Sequence, residues 1–564
     1  MKRDSRLSSS SDWRLAPTPK AAEKLRNAGL PPRLAELLAR RGVEEPSQAE
    51  AFLFPSADQL HDPFLLAGMS EAVERLALAR ERREAVAVVG DYDVDGVTAT
   101  ALLLGVLGAC GIEAHPVLPH RLREGYGFQP LHVERAVELG CRLIVTVDCG
   151  VSAGAAVARA REAGIDVVVT DHHLPGEGLP GEAVVINPRQ PGCSYPFLEL
   201  SGVGLALKLA VGLARRLERR VSLHQLLRMA CLGTIADVVP LVGENRTIAV
   251  LGLQALAHTR SAGLQALLRR AGLRSPLTAE DVGFRIGPRL NAAGRLASPE
   301  RALDLLLCRD PARAEALAEE LERCNRARQE EDNRVVEEAR LELATRRPLP
   351  PLALACREGW HRGVVGIAAG RLAREMARPV VLLAAEGDLA TGSGRSVPGI
   401  DLHAFLAPYA RRFERFGGHA QAVGLTVDRR RLPELQAELE EAAAAWPPEL
   451  LRRRYEYELE LVASEVTAEL AAELRRLAPH GPANPQPLLR LGPLRLAAAP
   501  RRFGRDHLAA RAAGEDGAPI SLVGWGWAGR SHHLAGRFEA LGTLEEDAVR
   551  RGPVLRLADA RPAP

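Results

Sequence analysis

From Val88 to Gly96 the chain reads Val-Val-Gly-Asp-Tyr-Asp-Val-Asp-Gly, an apolar run that ends in three carboxylates at alternate positions and a glycine. Like charges this close repel unless a cation lies among them. Hard divalent ions take such oxygen ligands, and Mn2+ also accepts imidazole. Two later apolar runs end the same way: Leu143–Val147 meets Asp148, and Val167–Thr170 meets Asp171, His172 and His173. A fourth acid, Asp237, closes the apolar segment Cys231–Ala236. A carboxylate after a strand can also cap the next helix by accepting its free N–H groups. Capping explains neither the paired histidines nor the triple acid, and the set as a whole points to a metal-dependent hydrolase.

The elements that position these residues follow from hydrophobic spacing. Residues 1–80 read as helical. Between 85 and 188, apolar runs near 85–90, 113–118, 142–148, 165–170 and 183–187 alternate with amphipathic helices near 97–110, 130–140 and 152–163. Continuous Val/Ile runs separated by helices indicate a parallel sheet covered on both faces. Ligands of such sheets bind beyond the carboxyl ends of the strands, where these acids stand. Residues 202–310 read as mostly helical, and 311–347 as a charged, solvent-exposed connecting helix ended by Pro348, Pro350 and Pro351. A second α/β unit begins at Leu352 and runs past Gly417-Gly418-His419. After Trp446-Pro447-Pro448 the pattern changes to short alternating strands, consistent with a small β-barrel over 455–560.

At 564 residues the chain calls for three or four domains, and 46% hydrophobic with 26% charged residues reads as globular. No run approaches the roughly 20 apolar residues of a membrane span. Residues 1–10 lack the apolar core of a secretory signal. The eight cysteines form no C-x-x-C pair and sit mostly in apolar runs, so reduced thiols and a cytoplasmic location are expected. A net charge of +3 permits nucleic-acid binding without demanding it. Lysine stands only at Lys2, Lys20, Lys24 and Lys208, an arginine bias so general that it assigns no single residue a role.

The four acidic motifs resemble those of the DHH phosphoesterase superfamily. Tyr195-Pro196-Phe197 leading to Gly202-Val203-Gly204, Gly287 through Arg295, and Gly417 through Gly424 narrow the resemblance to the RecJ family of single-strand DNA exonucleases, over about residues 40–545. That resemblance implies an N-terminal region (1–80) packing on a DHH catalytic domain (81–310), a connecting helix (311–347), a DHHA1 domain (348–445) and a C-terminal OB-fold (450–564). It implies 5′→3′ degradation of single-stranded DNA to 5′-mononucleotides with two Mn2+ or Mg2+ ions, in repair and recombination. It also implies a monomer, with single-strand-binding protein and a helicase as candidate partners. One segment departs from the family pattern: Pro479-His480-Gly481-Pro482-Ala483-Asn484-Pro485 stands where a Pro-Phe-Gly-x-Gly-Asn-Pro turn is usual.

Phosphodiester hydrolysis needs a hydroxide at neutral pH and stabilisation of the departing alkoxide, and two metal ions serve both ends. Asp93, Asp95, Asp148, His172 and Asp237 are the expected ligands, with Asp148 bridging; Asp91 ligates or acts from behind them. His173 contacts the scissile phosphate or supplies a proton, and Asp171 orients the imidazoles. The resemblance implies substrate contacts from Arg121, Arg289, Asn291, Arg295, Ser393, Arg395, Ser396, Gly417, Gly418 and His419. Of these, Arg121, Arg295, Ser393 and Arg395 are the candidates for holding a terminal 5′-phosphate. In the barrel, Arg501-Arg502-Phe503-Gly504-Arg505 mixes basic and aromatic groups as a single-strand groove does, whereas Trp525 and Trp527 read as one core face. Two other functions fit parts of the pattern. A DHH enzyme for short nucleotides (an oligoribonuclease or a phosphodiesterase) would not need the barrel, and a non-catalytic DNA-binding scaffold would have lost the metal ligands.

Overall fold

A parallel sheet of five strands carries the acidic motifs. The computed structural model describes residues 11–121, 123–176, 178–296, 298–546 and 552–563; residues 1–10, where the chain was read for a leader, lie outside them. The chain enters through β1 (Asp12–Leu15) and helices α1 (Ala21–Asn27), α2 (Pro32–Arg40), α3 (Pro46–Leu53) and α4 (Met69–Arg82). The catalytic sheet follows: β2 (Val86–Gly90), α5 (Val94–Ala109), β3 (Ala114–Val117), α6 (Pro130–Glu138), β4 (Leu143–Val147), α7 (Gly154–Glu162), β5 (Asp166–Thr170) and β6 (Val184–Ile186). Paired in the order β3-β2-β4-β5-β6, its central strands β2, β4 and β5 are buried on both faces, which is why they read as continuous apolar runs. Val86 and Val88 of β2 enter one core while Ala87 and Val89 enter the other, the period-two alternation of a strand.

A helical layer covers one face: α8 (Gly202–Arg216), α9 (Leu223–Ala236), α10 (Gly243–Ala257), α11 (Ala262–Arg270), α12 (Ala279–Asp281), a π-helical turn (Val282–Ile286), α13 (Gly287–Leu296) and α14 (Glu300–Leu307). Helix α15 (Pro311–Ala344) starts at Asp310, whose side chain accepts the Arg313 N–H. Leu317 and Leu321 belong to the core of the first domain, and Val335, Val336, Ala339 and Leu343 to that of the second. This helix is therefore a strut buried along one face in both domains, rather than a solvent-exposed linker.

The second α/β unit comprises β7 (Ala353–Glu358), α16 (Arg362–Met376), β8 (Val380–Glu386), β9 (Leu389–Arg395), α17 (Leu402–Leu406), β10 (Arg415–His419), β11 (Ala422–Asp428) and α18 (Leu432–Ala443), its sheet ordered β10-β11-β9-β8-β7. The C-terminal unit has β12 (Arg454–Tyr457), β13 (Leu459–Leu461), α19 (Ala468–Arg475), β14 (Leu489–Leu496), β15 (Arg501–Phe503), β16 (His507–Gly514), β17 (Pro519–Gly524), β18 (Arg537–Glu546) and β19 (Pro553–Pro562). The pairing order β14-β18-β19-β17-β16, with β16 returning to β14, closes a five-stranded barrel.

The N-terminal region corrects the expectation that residues 1–80 pack on the catalytic domain. Leu25, Leu34, Leu38 and Phe52 share a core with Leu489, Phe538 and Leu555 of the barrel, and β1 pairs in parallel with β12. The segment from Gln59 through α4 does join the catalytic domain: Leu66, Met69, Val73 and Leu76 enter its core, and the His61 N–H donates to Glu244 at 2.8 Å. Helical spacing shows that a face is buried but not what covers it. Buried Arg246 of α10 ties the parts together: its guanidinium donates to the carbonyls of Phe52 (2.8 Å) and Leu477 (2.9 Å). Among the described residues no helix is long and apolar enough to cross a membrane.

Candidate active site

Register brings the acids together. Gly90 of β2 lies opposite Val147 of β4, and Val147 opposite Thr170 of β5, so Asp91, Asp148 and Asp171 leave the sheet side by side. Asp93 caps α5 by accepting the N–H groups of Asp95 (2.9 Å) and Gly96 (3.2 Å) through one oxygen, which leaves the other for a ligand. Capping and metal binding are thus compatible in one carboxylate. Asp95 accepts Gly202 N–H at 2.6 Å and Val203 N–H at 2.9 Å, pinning the start of α8 to α5. Two glycines are required by this crowding. A Cβ on Gly202 would stand 2.5 Å from that of Asp148, and one on Gly233 would stand 2.5 Å from Asp95 Oδ1.

Asp237, at the C-terminal end of α9, completes the centre. His172 Nε2 lies 3.1 Å from Asp148 Oδ1 and 3.6 Å from Asp237 Oδ2. The ligand atoms of Asp91, Asp93 and Asp148 lie within 4.8 Å of one another, as do those of Asp95, His172 and Asp237, and those of Asp148, His172 and His173. Asp91 Oδ1, Asp148 Oδ1 and His172 Nε2 are buried without a hydrogen-bond partner. Buried polar atoms are nearly always satisfied, and oxygen with imidazole is the donor set of Mn2+ or Mg2+. The residues therefore fit a divalent ion. Asp148 also has φ +63°, a conformation unusual outside glycine that holds its carboxylate over the centre.

The electrostatics match. Burial, reinforced by neighbouring carboxylates, holds Asp91 and Asp148 well above the ordinary carboxylate range and lifts Asp95 to about 7 and Asp237 to about 9. Burial lowers His172 to about 4, keeping it the neutral imidazole a metal needs. Burial acts downward on His173 as well, but the 2.7 Å bond from its Nδ1 to Asp171 outweighs it, and the net shift is upward. Asp171 also accepts the Val151 N–H at 2.9 Å, so it orients His173.

The second domain contributes a basic counterpart. Across β9, β11 and β10, Ser393 aligns with Gly424 and Gly417, and Arg395 with Ala422 and His419, so these residues share one sheet face. Helix α16 lies on that face: a Cβ on Gly366 would be 3.1 Å from Arg395 Nη2 and 3.2 Å from Ser393 Oγ. Arg295 crosses between domains, donating to the Gly363 carbonyl at 2.9 Å. The Arg121 guanidinium stacks 4.6 Å over the Tyr92 ring, within the acidic motif. Burial first, and repulsion from Arg121 second, lower Arg395 and bring Arg295 to about 9. Arg121 thus acts on both Arg295 and Arg395, a concentration of positive charge beside the acids that suits an anion.

Other candidates lie elsewhere. Arg289 is bound to Glu322 of α15 at 2.6 Å and to the Arg285 carbonyl, so it braces the strut. Ser396 donates to the Ile400 carbonyl at 2.7 Å within its own loop. Asn291 is half-buried on α13. Gly417 and Gly418 are exposed on the edge strand β10. The barrel tryptophans correct the shared-face expectation: Trp527 is 2% exposed and Trp525 is 53% exposed, because the chain leaves β17 at Gly524 and turns between them. Trp525 packs edge-on against Phe503 and His507, with exposed Arg501, Arg502 and Arg505 around them. The sequence reading missed Tyr126, whose hydroxyl lies 3.1 Å from His173 Nδ1 and 3.3 Å from the Asp148 carbonyl. Its signal was proximity to Arg121 in a Gly-Tyr-Gly turn.

Comparison with known proteins gives the same picture. The DHH family N-terminal domain matches residues 85–234, the DHHA1 domain 350–445 and the RecJ OB domain 457–557. The single-stranded-DNA-specific exonuclease RecJ of Dickeya dadantii is 40% identical over 81% of this chain and 83% of its own length. The chain belongs to the RecJ family. The Bacillus subtilis relative is 38% identical over 81% of this chain, which spans 58% of that longer protein. The crystal structure of Thermus thermophilus RecJ in complex with Mn2+ matches with a TM-score of 0.83 and 31% identity, over 98% of this chain and 80% of that one. Its complex with Mg2+ matches with a TM-score of 0.77.

Proposed function

We propose that this chain is a divalent-metal-dependent exonuclease that degrades single-stranded DNA from the 5′ end to 5′-mononucleotides. The observation that carries the reading is the convergence of Asp91 Oδ1, Asp148 Oδ1 and His172 Nε2, buried and unsatisfied, beside an arginine cluster. The relatives' name, single-stranded-DNA-specific exonuclease, supports the substrate, and the relative's Mn2+ and Mg2+ complexes support the cofactor.

Asp91, Asp93, Asp95, Asp148, His172 and Asp237 are the residues that would hold two Mn2+ or Mg2+ ions. Bound there, the ions supply a hydroxide at neutral pH and neutralise charge on the leaving oxygen. Arg395, Ser393, Arg121 and Arg295 take the terminal 5′-phosphate and so fix how far the strand enters. His173, bonded to Asp171 through Nδ1, is the candidate proton donor to the departing 3′-oxygen, and the Tyr126 hydroxyl lies 3.1 Å from the ring. Trp525, Phe503 and the surrounding arginines give longer strands a second hold on the barrel, which favours strands over short nucleotides as substrates. A repair and recombination role, a cytoplasmic monomer, and single-strand-binding protein and a helicase as partners complete the proposal.

The test is Mn2+-dependent digestion of single strands labelled at either end. Mononucleotides released from the 5′ end support the reading. Release from the 3′ end, or cuts inside circular strands, would overturn it.

A further inference from the structure

A cleft of about 1290 Å3 separates the helical layer of the catalytic domain from the barrel. Ile235, Ala236 and Val238, the residues flanking Asp237, line it on the catalytic side, and Leu557 and Pro482 line it from the C-terminal unit. Two large apolar side chains stand open here: Val238 is 64% exposed and Phe284 is 76% exposed, and both line the cleft.

Single exposed apolar residues are ordinary, but these two rest on unusual backbone beside a candidate metal ligand. Val238 has φ +63°, an outlier for a β-branched residue. Phe284 sits on the π-helical turn, a rare conformation frequent at functional sites. That turn is seated on the end of α9, since a Cβ on Gly287 would lie 3.6 Å from the Ala236 Cβ.

Charge argues for a base rather than a phosphate at this place. The arginines along the cleft are engaged: Arg556 with Glu280 (3.5 Å) and Glu545 (3.0 Å), and Arg475 with Glu546 (2.8 Å). The clustered cations Arg121, Arg295 and Arg395 belong to the side of the centre facing the second domain. On the exonuclease reading, a strand held at those arginines by its terminal phosphate would cross the acids and leave past Asp237.

Building on the exonuclease reading, we propose that Phe284 and Val238 form a ledge for the first base of the retained strand, just beyond the scissile phosphodiester. Phe284 supplies the stacking face and Val238 supports the edge of the base. A ledge of this kind reads no sequence, because every base has a π face. It does select for unpaired strands, because a base locked in a duplex cannot turn onto it.

The experiment pairs Phe284→Ala and Phe284→Trp with strands lacking one base at successive positions from the 5′ end, and measures kcat and KM separately. Phe284→Ala should lower kcat/KM on intact strands roughly five- to hundredfold. It should have little further effect on the strand that lacks the ledge base, and Phe284→Trp should retain activity. Mn2+ binding and thermal unfolding report that the fold and the centre are intact. In EDTA, a strand with a single 2-aminopurine should be quenched at one position by the wild type and not by Phe284→Ala. Equal losses on intact and abasic strands, or no position-specific quenching, would overturn the ledge. Wild-type protein that quenches 2-aminopurine but digests no strand would sink the exonuclease reading while leaving the ledge standing.

Discussion

The acidic centre of the first domain and the arginine cluster at the second are opposites in charge and alike in design. Each packs like charges into a partly buried space where they repel. Carboxylates are driven to keep protons and guanidiniums to give them up, even though Asp95 also pins α8 and Arg295 also ties the domains through Gly363. Elsewhere arginines mostly find partners within the chain, as Arg289 does in Glu322 and buried Arg246 does in backbone carbonyls. Charge left unmatched by its own chain is the sign of an outside partner: cations at the acids and, on the proposed function, phosphate at the arginines.

The largest effect belongs to the acidic side. Asp148→Ala should lower hydrolysis by about a hundredfold or more, while the metal-free variant unfolds at the same or a higher temperature because a buried carboxyl with an unsatisfied oxygen is gone. A metal-free variant that unfolds well below the wild type would mean Asp148 is structural, and the comparison would break there.

On the basic side, Arg395→Ala should slow digestion of 5′-phosphorylated strands about ten- to hundredfold, the worth of one charged hydrogen bond at the transition state. Strands with a 5′-hydroxyl should slow far less, and Mn2+ affinity should hold. Equal slowing of both strands would make Arg395 a general backbone contact.

The acids also predict a pH dependence. Carboxylates ordinarily lose their proton at about 4, whereas Asp95 is lifted to about 7 and Asp237 to about 9 by burial. Between those values the folded chain holds protons that the unfolded chain has released. Metal-free stability should then fall as pH rises from 5 to 9. Mn2+ displaces those protons, so its stabilisation should grow over the same range, as melting curves with and without the ion would record. A flat pH profile would argue against strain in the centre.

The smallest effect sharpens the contrast. Arg289→Ala removes a partly exposed ion pair between α13 and α15 and should lower stability by about 0.5–1 kcal/mol. Its kcat should stay near the wild-type value. A large kcat loss would return Arg289 to the substrate side.

The strand-end acids Asp91, Asp148 and Asp171 and the sheet beneath them were legible in the local pattern of the chain, whereas Asp237 joins them from the end of a helix. Local signals sufficed there: apolar runs specify strands, and acids directly after strands must gather at the carboxyl edge of a parallel sheet. The connecting helix, the second α/β unit and the barrel also stood out as successive changes of pattern, but not that this helix is buried in both domains. Which surfaces meet depends on the packed fold. Helices 21–53 cover the barrel instead of the catalytic sheet, Trp525 faces outward while Trp527 is buried, and Arg289 turns to Glu322 while Arg295 reaches Gly363. Spacing fixes which face of an element is apolar or charged. The partner of that face, and the conformation of a residue such as Val238 beside Asp237, depend on contacts between segments far apart in the chain.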